Sequence, residues 1–284
     1  MIQSKIKFPT YTISQNKFTT QKEIQEVVIS NIVLIGQTPA PTFHEQARTE
    51  IFLERLSDAQ ADYCATDDYN IPISIIKGNS ESSRPPIFVV AHIDTFMDAD
   101  IDHNYIVRKT TISGPGILDN SLGVAVLTSL PIIFKHLDIK FQSDIVLAGV
   151  PQSIGKGNLQ GIRHLLETWD GPIQGAVIVE GEKLGRLNYY SEGIIRGEIT
   201  CNVAATGGWE HRYKPNAIII LNKVIDEILA MELPQRPRAR VIIGKINGGF
   251  KHGVIAYNAR LGFEIQSDSE DMVKRMHAEI EDII

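Results

Sequence analysis

The stretch VVAHIDTF, residues 89–96, places a histidine and an aspartate at the end of an apolar run. In an extended chain successive side chains alternate between faces, so His92 and Asp94 share one face while Ile93 points to the other. A carboxylate in that position can orient the imidazole for a metal ion. The alternative is a strand end with a histidine in ordinary hydrogen bonds, and this segment alone leaves both interpretations open.

Two further carboxylates lie at the boundaries of other predicted elements. Asp119 is in the turn GPGILDN ahead of a helical segment, and Glu180 ends the strand-like run GAVIVE. Ligands of open α/β sheets bind at the carboxyl ends of the strands, so His92 and these two carboxylates can converge. Together they are a plausible zinc set, with Asp94 fixing the histidine tautomer. Taken singly, Asp119 can be a turn-former or helix cap and Glu180 an exposed charge.

The composition limits the class of protein. The chain has 284 residues, 43% hydrophobic and 22% charged, which is enough for a sizeable core and favours two domains. A formal net charge of -6 without a basic stripe argues against nucleic acid or an anionic membrane as a partner. Two cysteines, Cys64 and Cys201, indicate thiols in a reducing compartment. With no signal-peptide run and no uninterrupted apolar segment of membrane-spanning length, we expect a cytoplasmic protein.

Helix and strand signals alternate over the first part of the sequence. Thr20 to Glu23 and Thr42 to Glu45 fit the capping box, and each precedes a segment with helical periodicity. Short apolar runs follow, and helical segments separate the later ones, which predicts an α/β fold with a largely parallel, helix-covered sheet. The runs are IPISIIK (71–77), IFVVA (87–91), DIVLAGV (144–150) and GAVIVE (175–180).

The pattern changes after residue 187. A long strand-like run, IIRGEITCNVAAT, is followed by a helix, two more strands and a final helix, SEDMVKRMHAEIEDII. This βαββα order is typical of a compact two-layer module. We therefore predict two domains, residues 1–187 and residues 188–284.

Five segments together resemble the zinc aminoacylase and carboxypeptidase family, which includes acetylornithine deacetylase, succinyl-diaminopimelate desuccinylase and glutamate carboxypeptidase. They are TPAPTFHEQARTEIFLERL, AHIDT, GPGILDN, GKGNLQGIRHLL and IVEGEKLGR, in an order and spacing that agree over nearly the whole sequence. The resemblance implies a zinc-peptidase-like catalytic domain over residues 1–187 and an inserted lid over residues 188–284. It also implies a homodimer through the lid and a small peptide or N-acyl amino acid as ligand.

The family binds two metals that share a bridging aspartate. One metal is held by a histidine, that aspartate and an acidic residue, and the matching positions here are His92, Asp119 and Glu180. Asp94 matches the supporting aspartate of the family. The resemblance therefore implies one complete half of the metal centre.

The other half departs from the family. Its paired glutamates, one the general base and one a ligand of the second metal, fall at Ser153 and Ile154 when GKGNLQG is aligned. Neither residue can take a proton from the attacking water as a carboxylate does, and isoleucine cannot bind metal. We expect one zinc ion at most, and the sequence is also compatible with none.

Further departures concern the lid and the end of the sequence. ATGGWEH runs from Gly208 directly to Trp209, where the family usually has a histidine that stabilises the transition state, and His211 is placed differently. FKHGVIAY, after Gly249, lacks the substrate-contacting asparagine and the proline. The family's last histidine ligand comes from a return to the catalytic sheet, whereas this sequence stops at Ile284, so the expected zinc-peptidase-like fold is incomplete. A shortened variant, one part of a split enzyme and a truncation all fit.

Three functions fit these observations. The favoured one is a metallopeptidase-like or amidohydrolase-like protein with impaired or no catalysis. The second is an active single-metal amide hydrolase with a base recruited from elsewhere, such as Glu182 or a partner chain. The third is a non-catalytic binding or interaction protein that uses its lid as a dimer surface. The sequence identifies neither the substrate nor the metal.

Overall fold

The structure, a computed structural model, describes residues 17–79, 82–181, 185–204 and 214–284. The chain divides into two compact units, Met1–Leu184 and Gly185–Ile284. Two hydrophobic clusters lie in the first unit and one lies in the second.

The first unit is built on a five-stranded sheet with the strand order β1-β2-β6-β3-β7. β3 pairs in parallel with β6 and with β7, whereas β2 pairs antiparallel with β6 and with β1. The predicted α/β class is confirmed. The sheet is mixed, however, because the hairpin of β1 and β2 joins it through the antiparallel pairing of β2 with β6. The strands are β1 (Tyr63–Thr66), β2 (Pro72–Ile76), β3 (Ile87–His92), β6 (Ile145–Val150) and β7 (Gly175–Ile178), with a separate two-stranded ribbon of β4 (Ile106–Val107) and β5 (Ile112–Ser113).

Helices cover both faces of this sheet. Along the fully buried strand β6, Leu147 belongs to one hydrophobic cluster while Val146 and Ala148 belong to another. Alternate residues of a strand point to opposite faces, so β6 is buried from both sides. The first cluster includes Phe52 and Leu127, from helices on one face, and the second includes Leu165, from a helix on the other. The helices are α1 (Lys17–Gly36), α2 (Gln46–Asp58), α3 (Leu122–His136) and α4 (Gln160–Thr168).

Neither predicted capping box begins a helix. α1 already begins at Lys17, ahead of Thr20. α2 begins at Gln46, and the hydroxyl of Thr42 donates a hydrogen bond to Asp94, far along the sequence, at 2.9 Å. A local pattern that predicts a cap is thus used here for a tertiary contact.

The stretch Ile117–His136 is long and apolar enough to cross a membrane by length and composition alone, with 50% of its most apolar window buried. The stretch is not an uninterrupted apolar segment, because Asp119, Asn120 and Lys135 lie within it. Within the unit, α3 packs against α1 and against β3. A core helix needs apolar residues on most of its faces, which accounts for its composition.

The second unit is a three-stranded antiparallel sheet, ordered β8-β10-β9, with two helices. Its elements follow the predicted order βαββα. They are β8 (Gly193–Asn202), α5 (Ala217–Ala230), β9 (Ala239–Gly248), β10 (Asn258–Ser267) and α6 (Glu270–Ile283). Both helices have side-chain caps, because Asn216 accepts a hydrogen bond from the nitrogen of Ile218 and Ser269 from that of Met272.

Candidate metal centre

His92 is the last residue of β3, an interior strand between β6 and β7, and is 9% exposed. Its Nδ1 lies 3.0 Å from the main-chain oxygen of Asp94. A carbonyl oxygen only accepts hydrogen bonds, so Nδ1 carries a proton and Nε2 is the ring atom available to a metal. The strand end thus fixes both the position and the tautomer of the imidazole.

The structure brings the three sequence-predicted ligands together. Nε2 of His92 lies 3.0 Å from Oδ1 of Asp119 and 3.5 Å from Oε2 of Glu180. One ligand atom from each of the three residues falls within 4.8 Å of the other two. Zinc ligands lie about 2.0–2.2 Å from the ion, so neighbouring donors in a tetrahedral site are about 3.3–3.6 Å apart. The donor types suit zinc, and the two distances from Nε2 are close to this range.

A tight turn places Asp119. Gly116, just before the turn Ile117–Ser121, has φ 63°, and a Cβ there would lie 2.6 Å from Oγ1 of Thr95. Glycine is therefore needed both for the left-handed backbone and for the close approach to the chain that follows β3. The turn ends where α3 begins, and within it Asp119 lies beside His92 at the end of β3.

The parallel ladder places Glu180. β7 pairs with β3, and the ladder continues past β7 because the nitrogen of Val179 donates to the oxygen of Val90 at 2.8 Å. Glu180 comes directly after Val179, and His92 comes shortly after Val90 at the end of β3. Two parallel strands that end side by side bring their terminal side chains to one edge of the sheet.

Asp94 supports the loop after β6 as well as the histidine. Its Oδ2 accepts hydrogen bonds from the main-chain nitrogens of Ser153 and Ile154 and from the hydroxyl of Thr42, each at 2.9 Å. Its Oδ1 is buried, has no hydrogen-bond partner among the described residues, and lies 3.4 Å from Nδ1 of His92. The contact with the imidazole is therefore shared between the side chain and the main-chain oxygen of Asp94.

The loop that carries Ser153 and Ile154 is held through its backbone. Besides the two bonds to Asp94, the nitrogen of Gln152 donates to Oε1 of Glu45 at 2.9 Å. Ser153 is buried and Ile154 is half-buried. The loop reaches the supporting aspartate but offers no carboxylate at either position.

A buried arginine, which the sequence alone did not identify, supports the same strand end. Nη1 of Arg48 donates to the main-chain oxygen of Ile93 at 3.0 Å, and Nη2 donates to that of Thr38 at 2.7 Å. Burial lowers the pKa of Arg48 to about 10, so the guanidinium stays charged at neutral pH. The signal in the sequence was a charged residue on the buried face of a predicted helix, which by itself does not identify a partner.

The electrostatics of the centre favour a cation. Burial alone would lower the pKa of His92, but the carboxylates of Asp119, Asp94 and Glu180 outweigh it and raise the pKa to about 11. Burial alone would raise the pKa of Asp94, but His92 and the hydrogen bond from Ile154 hold it below its usual value. With no cation bound, His92 is itself the positive charge among the carboxylates.

Four residues named in the sequence analysis lie outside the described residues. These are Glu182, Gly208, Trp209 and His211. The recruited base and the lid histidine therefore stay predictions.

Comparison with known proteins agrees with this architecture. Residues 190–284 match the peptidase dimerisation domain family. No curated protein matches the sequence.

Solved structures share the fold at sequence identities so low that they show the fold alone, and three of them illustrate this similarity. Human carnosine dipeptidase 1 has a TM-score of 0.71 and 10% identity, over 94% of this chain and 76% of its own. A dipeptidase from Saccharomyces cerevisiae has a TM-score of 0.68 and 12% identity, over 94% of this chain and 76% of its own. A dinuclear metal-binding peptidase of the M20 family from Bacillus subtilis has a TM-score of 0.55 and 14% identity, over 92% of this chain and 70% of its own.

The resemblance inferred from the sequence motifs is thereby confirmed. The chain has the fold of metallopeptidases and amidohydrolases of this type, and its second unit matches their dimerisation domain.

Proposed function

We propose that this chain is a metallopeptidase-like or amidohydrolase-like protein that binds one zinc ion and has impaired or no catalysis. The observation that supports it best is the meeting of His92, Asp119 and Glu180 at donor separations suited to one ion. Zinc bound by these residues would supply a Lewis acid that polarises an amide carbonyl. Nothing in this donor set requires a second ion.

The roles of the chain's own residues follow from the contacts. Asp94 and Arg48 hold the strand end that presents His92, and Asp94 also holds the loop of Ser153. A general base would be expected from that loop, where serine and isoleucine stand. Loss of a general base costs about 10²–10⁴-fold in rate, so turnover should be very low.

The ligand and the assembly are part of the same proposal. A small peptide or an N-acyl amino acid suits the fold, since two of the similar structures are named as dipeptidases. Residues 1–187 act as the catalytic-like domain, and residues 188–284 act as the lid through which two copies form a homodimer. We place the protein in the cytoplasm.

An active single-metal amide hydrolase is the second candidate. The complete set of His92, Asp119 and Glu180 favours it, because one zinc ion with three protein ligands is a common catalytic arrangement. It needs a base from another position, and Glu182 is the acidic residue nearest to Glu180 in the sequence. The third candidate is a non-catalytic interaction protein, which the exposed apolar residues of the second unit favour, among them Leu229 at 65% exposed.

One experiment separates the three candidates. The full chain is loaded with zinc, its metal content is measured by mass spectrometry, and amine release from N-acetyl amino acids and dipeptides is followed. We expect about one zinc per chain and no release above the metal-free control. His92→Ala should lose the zinc, whereas His103→Ala, another buried histidine, should keep it.

Two results would contradict the proposal. Efficient zinc-dependent hydrolysis that disappears in His92→Ala would identify the chain as a single-metal enzyme. A wild-type chain without zinc or turnover would favour the interaction protein.

A further inference from the structure

The segments that carry Asp119 and Glu180 contact each other on both sides of the two carboxylates. Nδ2 of Asn120 donates a hydrogen bond to the main-chain oxygen of Val179 at 2.8 Å. On the other side, a Cβ on Gly181 would lie 2.4 Å from the main-chain oxygen of Leu118. The residue after Asp119 thus binds the residue before Glu180, and the residue before Asp119 packs on the residue after Glu180.

Asn120 uses both ends of its side chain. It is completely buried, and its Oδ1 accepts a hydrogen bond from the nitrogen of Gly123 at 3.0 Å, in the first turn of α3. A Cβ on Gly123 would lie 2.5 Å from the oxygen of Val179. The start of α3 and the end of β7 are therefore in direct contact, with glycines where any side chain would separate them.

The end of β7 needs such a restraint. In the described part of the chain, β7 is an edge strand of four residues that pairs with β3 alone, and Val177 and Ile178 are 50% and 55% exposed. Short, exposed strand ends open easily, because few buried contacts hold them. Two carboxylates near each other also repel. The pairing of β7 with β3 therefore restrains Glu180 only weakly to its position next to Asp119.

We propose that Asn120 and Gly181 form a clasp that sets the separation of the Asp119 and Glu180 carboxylates before any cation binds. Asn120 is then a positioning residue, since it acts through its two neighbours and does not touch the ion. The clasp makes a one-ion site possible without a second metal to pull the carboxylates together. Its effect on metal affinity rests on the proposed function, whereas its effect on geometry does not.

Two variants test the clasp in different ways. Asn120→Ser keeps an oxygen that can cap α3, because serine is a good capping residue, but it is too short to reach Val179. Gly181→Ala leaves Asn120 intact and pushes the Leu118 segment away. The matched control is Asn31→Ser, because Asn31 is also buried and donates to Ser129 at 2.9 Å between α1 and α3.

The first measurement is the crystal structure of each metal-free full-length chain. We expect the carboxylates of Asp119 and Glu180 to separate in both clasp variants, while the donor atoms stay within 4.8 Å in the wild type and in Asn31→Ser. Carboxylates that stay together in Asn120→Ser and in Gly181→Ala would overturn the clasp, whatever the metal affinity. Should one variant fail to fold, the other still decides the question.

The second measurement is titration with Co²⁺, followed by its absorption spectrum. Loss of residues that orient metal ligands typically weakens affinity about 10–100-fold, and we expect this for both clasp variants but not for Asn31→Ser. Equal affinity in wild type and variants would overturn the metal part of the inference. A wild type that binds no Co²⁺, with carboxylates that separate in the variants, would contradict the proposed function and leave the clasp standing.

Discussion

The main-chain nitrogen of Ser153 lies 2.9 Å from Oδ2 of Asp94, and the nitrogen of Ile154 lies 2.9 Å from the same oxygen. The carboxylate therefore holds this loop by its backbone. Backbone donors are present whatever side chains the two positions carry, so glutamates can be exchanged for serine and isoleucine without loss of these anchors. The support of the centre and its acid-base chemistry are separable in this chain.

Restoring the two carboxylates should strengthen metal binding without creating an enzyme. In Ser153→Glu with Ile154→Glu, the anchored loop would present acidic groups near His92, and we expect a modest gain in zinc affinity by calorimetry. Turnover of N-acyl amino acids should stay at background, because a base helps only when water, carbonyl and a transition-state donor are also in place. Neighbouring carboxylates also repel, which limits the gain.

The control for this variant is Ser153→Gln with Ile154→Gln. The glutamines have the size of glutamates without their charge, so they should give no gain in affinity. A glutamate variant that hydrolyses its substrate with ordinary enzyme efficiency would show that only the base was missing and that our account of the other departures is wrong.

Loss of the Asp94 carboxylate should destabilise the first unit strongly. In Asp94→Ala, two main-chain donors and the hydroxyl of Thr42 lose their acceptor, and His92 loses a buried negative neighbour. Breaking a buried charge pair costs about 3–5 kcal/mol, and we expect a loss of that order in the free energy of unfolding by urea. Thr42→Val removes one hydrogen bond and should cost about 1 kcal/mol. Equal losses in the two variants would contradict a central role for the carboxylate.

The metal-free protein should lose stability as the pH rises above neutral. The pKa of His92 is raised to about 11 in the folded chain, from an ordinary value of 6.5. A raised pKa stabilises the folded state fully below the ordinary value, and this contribution disappears as the pH rises through the folded value. Between these limits the loss is at most about 1.4 kcal/mol per pH unit.

The measurement is urea unfolding at pH 7, 8 and 9 with a chelator present. We compare the wild type with His92→Gln, because the difference between them removes the titration of all other groups. The wild type should lose stability with pH more steeply than the variant. Parallel curves would mean that His92 is not charged in the folded, metal-free chain.

The sequence predicts the elements better than the contacts between them. Buried apolar runs identify β3 and β6, because such strands carry their burial on both faces. The antiparallel hairpin of β1 and β2 was not foreseen, since an edge strand such as Tyr63–Thr66 has mixed burial and a weak pattern. Local patterns state which residues form an element, and pairing depends on residues far away in the chain.

The candidate site shows the same division. Motif resemblance, together with a position at a strand end or in the turn before a helix, was sufficient to select His92, Asp119 and Glu180 as candidates, because such positions are visible in the sequence. Asn120 and Arg48 were missed, although both are buried and bind main-chain oxygens near the site. A side chain that binds a backbone oxygen leaves no pairing pattern in a single sequence, so only the folded chain reveals it.

The second unit should form the homodimer, and its edge strand offers a way to test this. Ile246 is on the edge strand β9 and is 54% exposed, an apolar side chain where solitary edges usually carry charge. In a symmetric dimer each substitution occurs twice at the interface, so Ile246→Lys should shift the chain toward monomer in sedimentation velocity at micromolar concentration. Leu166→Lys is the control, because Leu166 is also 54% exposed but lies on α4 of the first unit. A wild type that sediments as a monomer, or an Ile246→Lys variant that stays dimeric, would contradict dimerisation through this edge.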